Sequence, residues 1–350
     1  PPPPPAPPPP PHPTSRCSSA ASDVYKRQLY NYSERGDIGF KNLKNPLRDE
    51  ARTGLYQIEP FRPNQIPVVF VHGLNSSAEV WVEAVNKLRA DPVIRDRFQL
   101  LVFGYPTGFP IGFNAASLRK HLKQFREDFD PEGTNEAMRN MVLIGHSMGG
   151  ILSNYQIRDS EMILHDKLFE RPLDQTSLTE EQAEKVKPVL YFEANPDIKR
   201  VVFVASPHRG SQMAEGFIGN FGSSLIKLPL RFLVGGTVRE IDGMTEVGNE
   251  AIQKKLTSVR SLRPGSLALT SVWELPNTYG VPMHSLIAHK DVDTPLQEST
   301  DGLVLYTSSH IEEAASEKVI VGEDHNSINT SDEAINELRR ILYLHVGLSP

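Results

Sequence analysis

From about residue 31 the chain alternates short apolar runs with stretches in which apolar positions recur every three or four residues. That rhythm predicts an α/β fold with a mostly parallel central sheet flanked by helices. Residues 66–71 (IPVVFV) read as a strand buried on both faces, because the run is continuous rather than alternating. Trp81, Val85 and Leu88 then recur at helical spacing behind a Ser76-x-x-Glu79 capping box. Residues 100–103 (LLVF) form the next strand, and Leu118, Leu122, Phe125 and Phe129 line one face of the helix that follows Asn114. Further strands are expected at 141–144 (MVLI), 201–205 (VVFVA), 285–288 (SLIA) and 318–321 (KVIV). A closing helix should start at a Thr330-x-x-Glu333 capping box, bury Ile335, Leu338 and Leu342, and end near His345. Two intervals, 161–199 and 211–282, are too long for ordinary loops and predict cap or lid insertions over a site.

Length and composition change this picture little. The 350 residues, 39% hydrophobic and 23% charged, suit one large domain with insertions, expected over residues 29–350. The first 28 residues stand apart. Eleven of the first thirteen are proline, a polyproline II composition with no core of its own, and residues 17–28 (CSSAASDVYKRQ) resemble translated linker sequence. This segment is expected to be disordered and non-native, which leaves open a lost signal or lipid anchor, so the N-terminus says nothing about location. Its net charge of +2 leaves the rest of the chain at −8 within the total of −6. An acidic body without a basic stripe argues against nucleic acid as a partner. Cys17 is the only cysteine, so no intrachain disulfide forms and thiol catalysis is not expected. No run of eighteen apolar residues appears, so no integral membrane segment is predicted.

The central motif is Gly145-His146-Ser147-Met148-Gly149. A Gly-x-Ser-x-Gly alone is weak, but this one directly follows the strand MVLI and precedes Ile151, Leu152 and Tyr155 at helical spacing. Ser147 therefore sits at a sharp strand-to-helix turn, where glycines two positions either side leave room for a strained nucleophile. Attack on an acyl carbon creates an oxyanion that needs preorganised donors. The backbone N–H groups of Met148 and of Leu74, in the His72-Gly73-Leu74 loop after IPVVFV, are the expected oxyanion hole.

With Val71 to Leu74, Gly145 to Gly150, the run Ser206-Pro207-His208-Arg209-Gly210-Ser211, Asp301-Gly302-Leu303-Val304 and Asp324-His325-Asn326 in order, the chain resembles the α/β-hydrolase superfamily. More narrowly it resembles bacterial lipases and esterases, from residue 66 onward. That resemblance implies a serine hydrolase cleaving carboxylic esters of small molecules or lipids through an acyl-enzyme. In that fold the triad runs serine, acid, histidine along the chain, with the histidine after the last strand. Of the eleven histidines only His325 follows VIV and precedes the final helix, whereas His310 precedes the strand and His345 lies in the helix. The acid that the resemblance implies is Asp301, whose DGLV setting is similar to the lipase pattern, with Asp291 and Asp293 as alternatives nearer the preceding strand.

Other features carry blander readings. His208 and Arg209 are expected to hold a loop at the cleft wall, and Trp81 to lie in the core. Phe109, Phe113 and Phe217 could line an acyl pocket. No metal motif, P-loop or dinucleotide fingerprint occurs, and no cofactor is implied. The same triad would also serve acyl transfer, thioesters or amides. A different class of reading is an inactive hydrolase-like binding domain, and the proline tail could dock a partner. Oligomeric state is not legible.

Overall fold

Seven strands among the described residues form one sheet in the computed structural model, which describes residues 53–211, 241–253 and 258–349. They are β1 (Gly54–Gln57), β2 (Ile66–Val71), β3 (Phe98–Gly104), β4 (Met141–His146), β5 (Ile198–Val204), β6 (Met283–His289) and β7 (Ser316–Val321). Their spatial order is β1-β3-β2-β4-β5-β6-β7. Strands β2 to β7 are parallel, while β1 pairs antiparallel with β3 at the edge. The six strands read from apolar runs are all present. The short, half-buried GLYQ strand has no such run and was not expected.

Among the described residues the α-helices are α1 (Val82–Ala90), α2 (Pro92–Arg97), α3 (Ile111–Phe129), α4 (Met148–Asn154), α5 (Ile163–Leu168), α6 (Glu180–Leu190), α7 (Glu246–Gln253), α8 (Ser258–Ser261), α9 (Leu267–Glu274), α10 (Tyr306–Ser309) and α11 (Asp332–His345). Side chains alternate across the sheet, so Val68 and Phe70 of β2 and Val142 and Ile144 of β4 face one layer. That layer holds Trp81 and Leu88, with Ile335, Leu338 and Leu342 of α11. Val69, Val71 and Leu143 face the other, with Leu118 and Leu122 of α3 and Ile151 and Leu152 of α4. Each such side chain, fully withdrawn from water, contributes about 1.5–3 kcal/mol relative to exposure.

Both expected N-terminal capping boxes are absent. Helix α1 is entered through a tight 3₁₀ turn at Ala78–Trp81 whose N-cap, Ser77, makes no side-chain capping bond. The tighter turn accompanies Trp81 packed on Phe70, ring centroids 5.1 Å apart. Helix α11 begins after Ser331, and the Thr330 hydroxyl donates back to the Ser327 carbonyl at 3.0 Å instead of capping. Helix α3 starts at Ile111, before Asn114, whose buried amide ties back to the Phe109 carbonyl at 3.0 Å.

Among the described residues, the two intervals expected to be insertions carry α5 and α6, and α7, α8 and α9, respectively. They join where the Glu170 N–H donates to the Gly243 carbonyl (2.9 Å) and the Thr245 N–H to that of Leu168 (3.0 Å). The proline-rich residues 1–28 and residues 212–240 of the second insertion lie outside the described residues. No described helix is long and apolar enough to cross a membrane.

Candidate active site

Strand β4 ends at His146, and Ser147 takes φ 53° and ψ −124°, a left-handed turn that few non-glycine residues adopt. Such a conformation costs about 1–3 kcal/mol and persists only where the surroundings hold it. Here the Ser147 N–H donates to the Val204 carbonyl of β5 at 2.9 Å, and α4 begins immediately at Met148. The flanking glycines are places of close approach. A Cβ on Gly145 would strike the Gly149 backbone and stand 2.5 Å from the Gly150 nitrogen. One on Gly149 would meet the carbonyls of Val71 and His72, the latter at 2.5 Å, and one on Gly150 would collide with the Ser206 side chain.

Three residues far apart in sequence meet at this turn. His325 Nε2 lies 2.9 Å from Ser147 Oγ, and His325 Nδ1 lies 2.6 Å from Asp301 Oδ2. The ionised carboxylate can only accept, so Nδ1 carries the proton and Nε2 is left to accept from the serine hydroxyl. Both His325 and Asp301 are buried, the latter only 2% exposed. The other oxygen of Asp301 accepts from the N–H groups of Leu303 (2.8 Å) and Val304 (2.6 Å), which fixes the carboxylate before His325 approaches. The His325 N–H also donates to the Asp301 carbonyl at 2.9 Å. Asp291 and Asp293 are exposed, and Asp291 instead accepts from the Asp293 N–H and the Thr294 hydroxyl in a local turn.

The His72-Gly73-Leu74 loop runs directly against Ser147, since a Cβ on Gly73 would stand 2.8 Å from the serine Cβ. His72 is buried, stacked on Tyr105 at 4.3 Å, and donates from Nδ1 to the Gly73 carbonyl at 3.0 Å. Burial lowers its pKa to about 4, so the ring is neutral, and its carbonyl is held by the Tyr105 hydroxyl at 2.7 Å. Met148, as the first residue of α4, has an N–H with no intrahelical acceptor. Among the described residues neither that N–H nor the one of Leu74 is engaged by an acceptor.

His208 is enclosed by Phe203 and Trp273, with centroids at 4.5 and 5.1 Å, and among the described residues neither ring nitrogen has a partner. Arg209 donates to the Thr307 carbonyl at 2.9 Å and also to that of His310, which makes it a loop brace. Trp81 is a core residue. Phe109 and Phe113 line a cleft of about 580 Å³ beside α3, while Phe217 lies outside the described residues. Phe113 also borders a second, largely apolar cleft of about 430 Å³ with Tyr155, Leu164, Leu168, Leu190 and Leu267. Among the described residues no group of three or more His, Cys, Asp or Glu side chains could hold a metal ion.

Sequence reasoning did not single out Tyr105 or His146, which brace the site from behind. Neither residue type nor spacing marks them.

Residues 68–338 match the Alpha/beta hydrolase family, more than three-quarters of the chain. The chain belongs to that family. Solved structures similar to this α/β hydrolase include a Bacillus licheniformis lipase, BlEst2, in mature form. It is 18% identical, with 83% of this chain and 97% of that one covered and a TM-score of 0.48. The Staphylococcus hyicus lipase is 14% identical over 82% and 96%, with a TM-score of 0.45. EstA from Clostridium botulinum is 14% identical over 87% and 96%, with a TM-score of 0.44. No curated protein matches this α/β hydrolase.

Proposed function

We propose that this α/β hydrolase is a serine esterase or lipase, with Ser147 as nucleophile, His325 as general base and acid, and Asp301 as the residue that orients His325. The observation that carries this reading is the relay from the strained Ser147 through His325 to Asp301, at 2.9 and 2.6 Å. Ser147 Oγ attacks the ester carbonyl carbon while its proton passes to His325 Nε2. The electron pair of the carbonyl moves to oxygen, and the Leu74 and Met148 N–H groups receive that oxyanion. As it collapses, the bond to the alkoxy oxygen breaks and His325 returns the proton to the departing alcohol. A water then attacks the acyl-serine with the same proton route in reverse, releasing the carboxylic acid. Asp301 stays ionised and stabilises the imidazolium. The insertions carrying α5 to α9 serve as a cap, and their apolar cleft suits the acyl part of a small-molecule or lipid ester.

The test is covalent labelling with a fluorophosphonate probe together with turnover of p-nitrophenyl esters of increasing acyl length. Wild type should label and hydrolyse, and Ser147→Ala should do neither. An unlabelled wild type, or equal labelling of Ser147→Ala, would overturn the assignment.

A further inference from the structure

His146 occupies the variable position of the Gly-x-Ser-x-Gly turn, and its side chain runs underneath the site toward the histidine loop. Its Nε2 lies 2.8 Å from the backbone carbonyl of His325, and the two rings stand 4.9 Å apart. A carbonyl oxygen only accepts, so the His146 proton is on Nε2. Nδ1 is a buried lone pair facing the oxyanion loop, where a Cβ on Gly73 would stand 3.2 Å from it. The Trp81 ring stands nearly perpendicular to the His146 ring, with centroids 6.3 Å apart. Burial, reinforced by the neighbouring His325, lowers the His146 pKa to about 3 and keeps this donor neutral.

We infer that His146 is a positioning residue that sets the His325 loop relative to the serine. His146 is covalently adjacent to Ser147, so its hydrogen bond measures the histidine loop directly from the residue beside the nucleophile. The other backbone links of that loop, the His325 N–H on the Asp301 carbonyl and the Gly322 N–H on the His289 carbonyl at 2.8 Å, tie it to the acid and to the end of β6 and not to the serine turn. With those links alone, the distance from the His325–Asp301 pair to Ser147 is set only indirectly, through β6. The bond from His146 sets that distance directly, and it touches neither substrate nor the reacting atoms. It therefore acts on the chemical step and not on ester binding. This inference rests on the serine hydrolase reading above.

The test uses the full chain with His146→Leu, His146→Asn and His146→Gln. A glutamine amide can reach the place of His146 Nε2, whereas an asparagine amide falls short near Nδ1. Leu and Asn should lower kcat on the order of 10- to 100-fold with KM nearly unchanged, since small misplacements of a catalytic group cost that much. Gln should recover most of the loss. The downfield proton resonance of the His325–Asp301 bond should persist in all three, because that pair stays together. Thermal unfolding of each variant separates position from stability. Equal losses in Leu, Asn and Gln, losses that track Tm alone, or unchanged kcat in His146→Leu would overturn the inference while wild-type labelling by the fluorophosphonate stands. Failure of wild type to label overturns the hydrolase reading itself, a separate outcome.

Discussion

Replacing Asp301 by asparagine should nearly abolish turnover while leaving the fold intact. The existing contacts determine which way the new amide turns. One carboxylate oxygen accepts from the Leu303 and Val304 N–H groups at 2.8 and 2.6 Å. Pointing the asparagine NH₂ at those two donors would leave both unpaired in a buried site, at about 1–3 kcal/mol each. The amide oxygen therefore stays with them, and the NH₂ takes the place of Oδ2, 2.6 Å from His325 Nδ1. Two donors then face each other, and the imidazole relieves this by moving its proton to Nε2. Nε2, which should accept the Ser147 proton, now donates toward Ser147 Oγ and the base is lost. This wrong-tautomer effect lowers kcat about 10⁴-fold in the triad of a serine protease, or about 5 kcal/mol of transition-state stabilisation. Unfolding free energy should change far less, because all three side-chain hydrogen bonds at position 301 survive and only the one to His325 reverses direction. The assay is kcat/KM on a short-chain p-nitrophenyl ester beside thermal unfolding, with Asp293→Asn as the control. Asp301→Asn retaining more than about a tenth of wild-type kcat/KM, or Asp293→Asn losing more than Asp301→Asn, would refute the reasoning.

Gly73→Ala places a Cβ 2.8 Å from the Ser147 Cβ, so the loop after β2, the proposed oxyanion loop, must back away. Steady-state kinetics should show kcat falling on the order of 100-fold with thermal stability little changed. Trp81→Ala removes a fully buried indole from beside Phe70 and His146, and urea unfolding should register a loss of about 3–5 kcal/mol. His208 is the cleanest probe of acid sensitivity because its ring has no polar partner among the described residues. Burial lowers its pKa to about 3 from an ordinary 6.5, so the unfolded chain takes up a proton first. Its contribution to stability is complete above pH 6.5 and is lost as pH falls toward 3. Between pH 6 and 4 the stability of wild type should therefore fall faster than that of His208→Leu by about one proton, or about 1.4 kcal/mol per pH unit. Parallel slopes from unfolding at several pH values would contradict this.

The sheet was legible because parallel strands covered on both faces must be apolar at consecutive positions, as in residues 66–71 and 141–144. β1 was not, since a half-buried edge strand such as GLYQ carries no such run. Ser147 and His325 were legible from chemistry attached to chain order, a glycine-flanked serine after one strand and a histidine after the last. Asp301 could only be preferred over Asp291 and Asp293, since three carboxylates within eleven positions look alike. What separates them is local backbone: Asp301 receives two N–H groups and His325, while Asp291 spends its oxygens on its own turn. The two capping boxes misled because serine and threonine hydroxyls have several nearby carbonyls to choose from, and Thr330 takes that of Ser327.

His146 escaped notice for a related reason, and its place shows how the site divides its labour. The ends of β2, β4 and β5 meet with almost no side chains between them, since a Cβ on Gly73, Gly149 or Gly150 would collide with Ser147, with the Val71 and His72 carbonyls, or with Ser206. Rigidity at the turn therefore comes from backbone contact. Two of the rings packed behind it, His72 and His146, donate to backbone carbonyls of the two loops that flank Ser147, those of Gly73 and His325. Burial lowers their pKa values to about 4 and about 3, which keeps both rings neutral. In the proposed mechanism either ring, if protonated, would place a positive charge beside the imidazolium of His325 and oppose proton transfer from Ser147. Held neutral, they brace the loops without competing for the proton. Of the three histidines gathered at this turn, only His325 has a hydroxyl on one nitrogen and a carboxylate on the other.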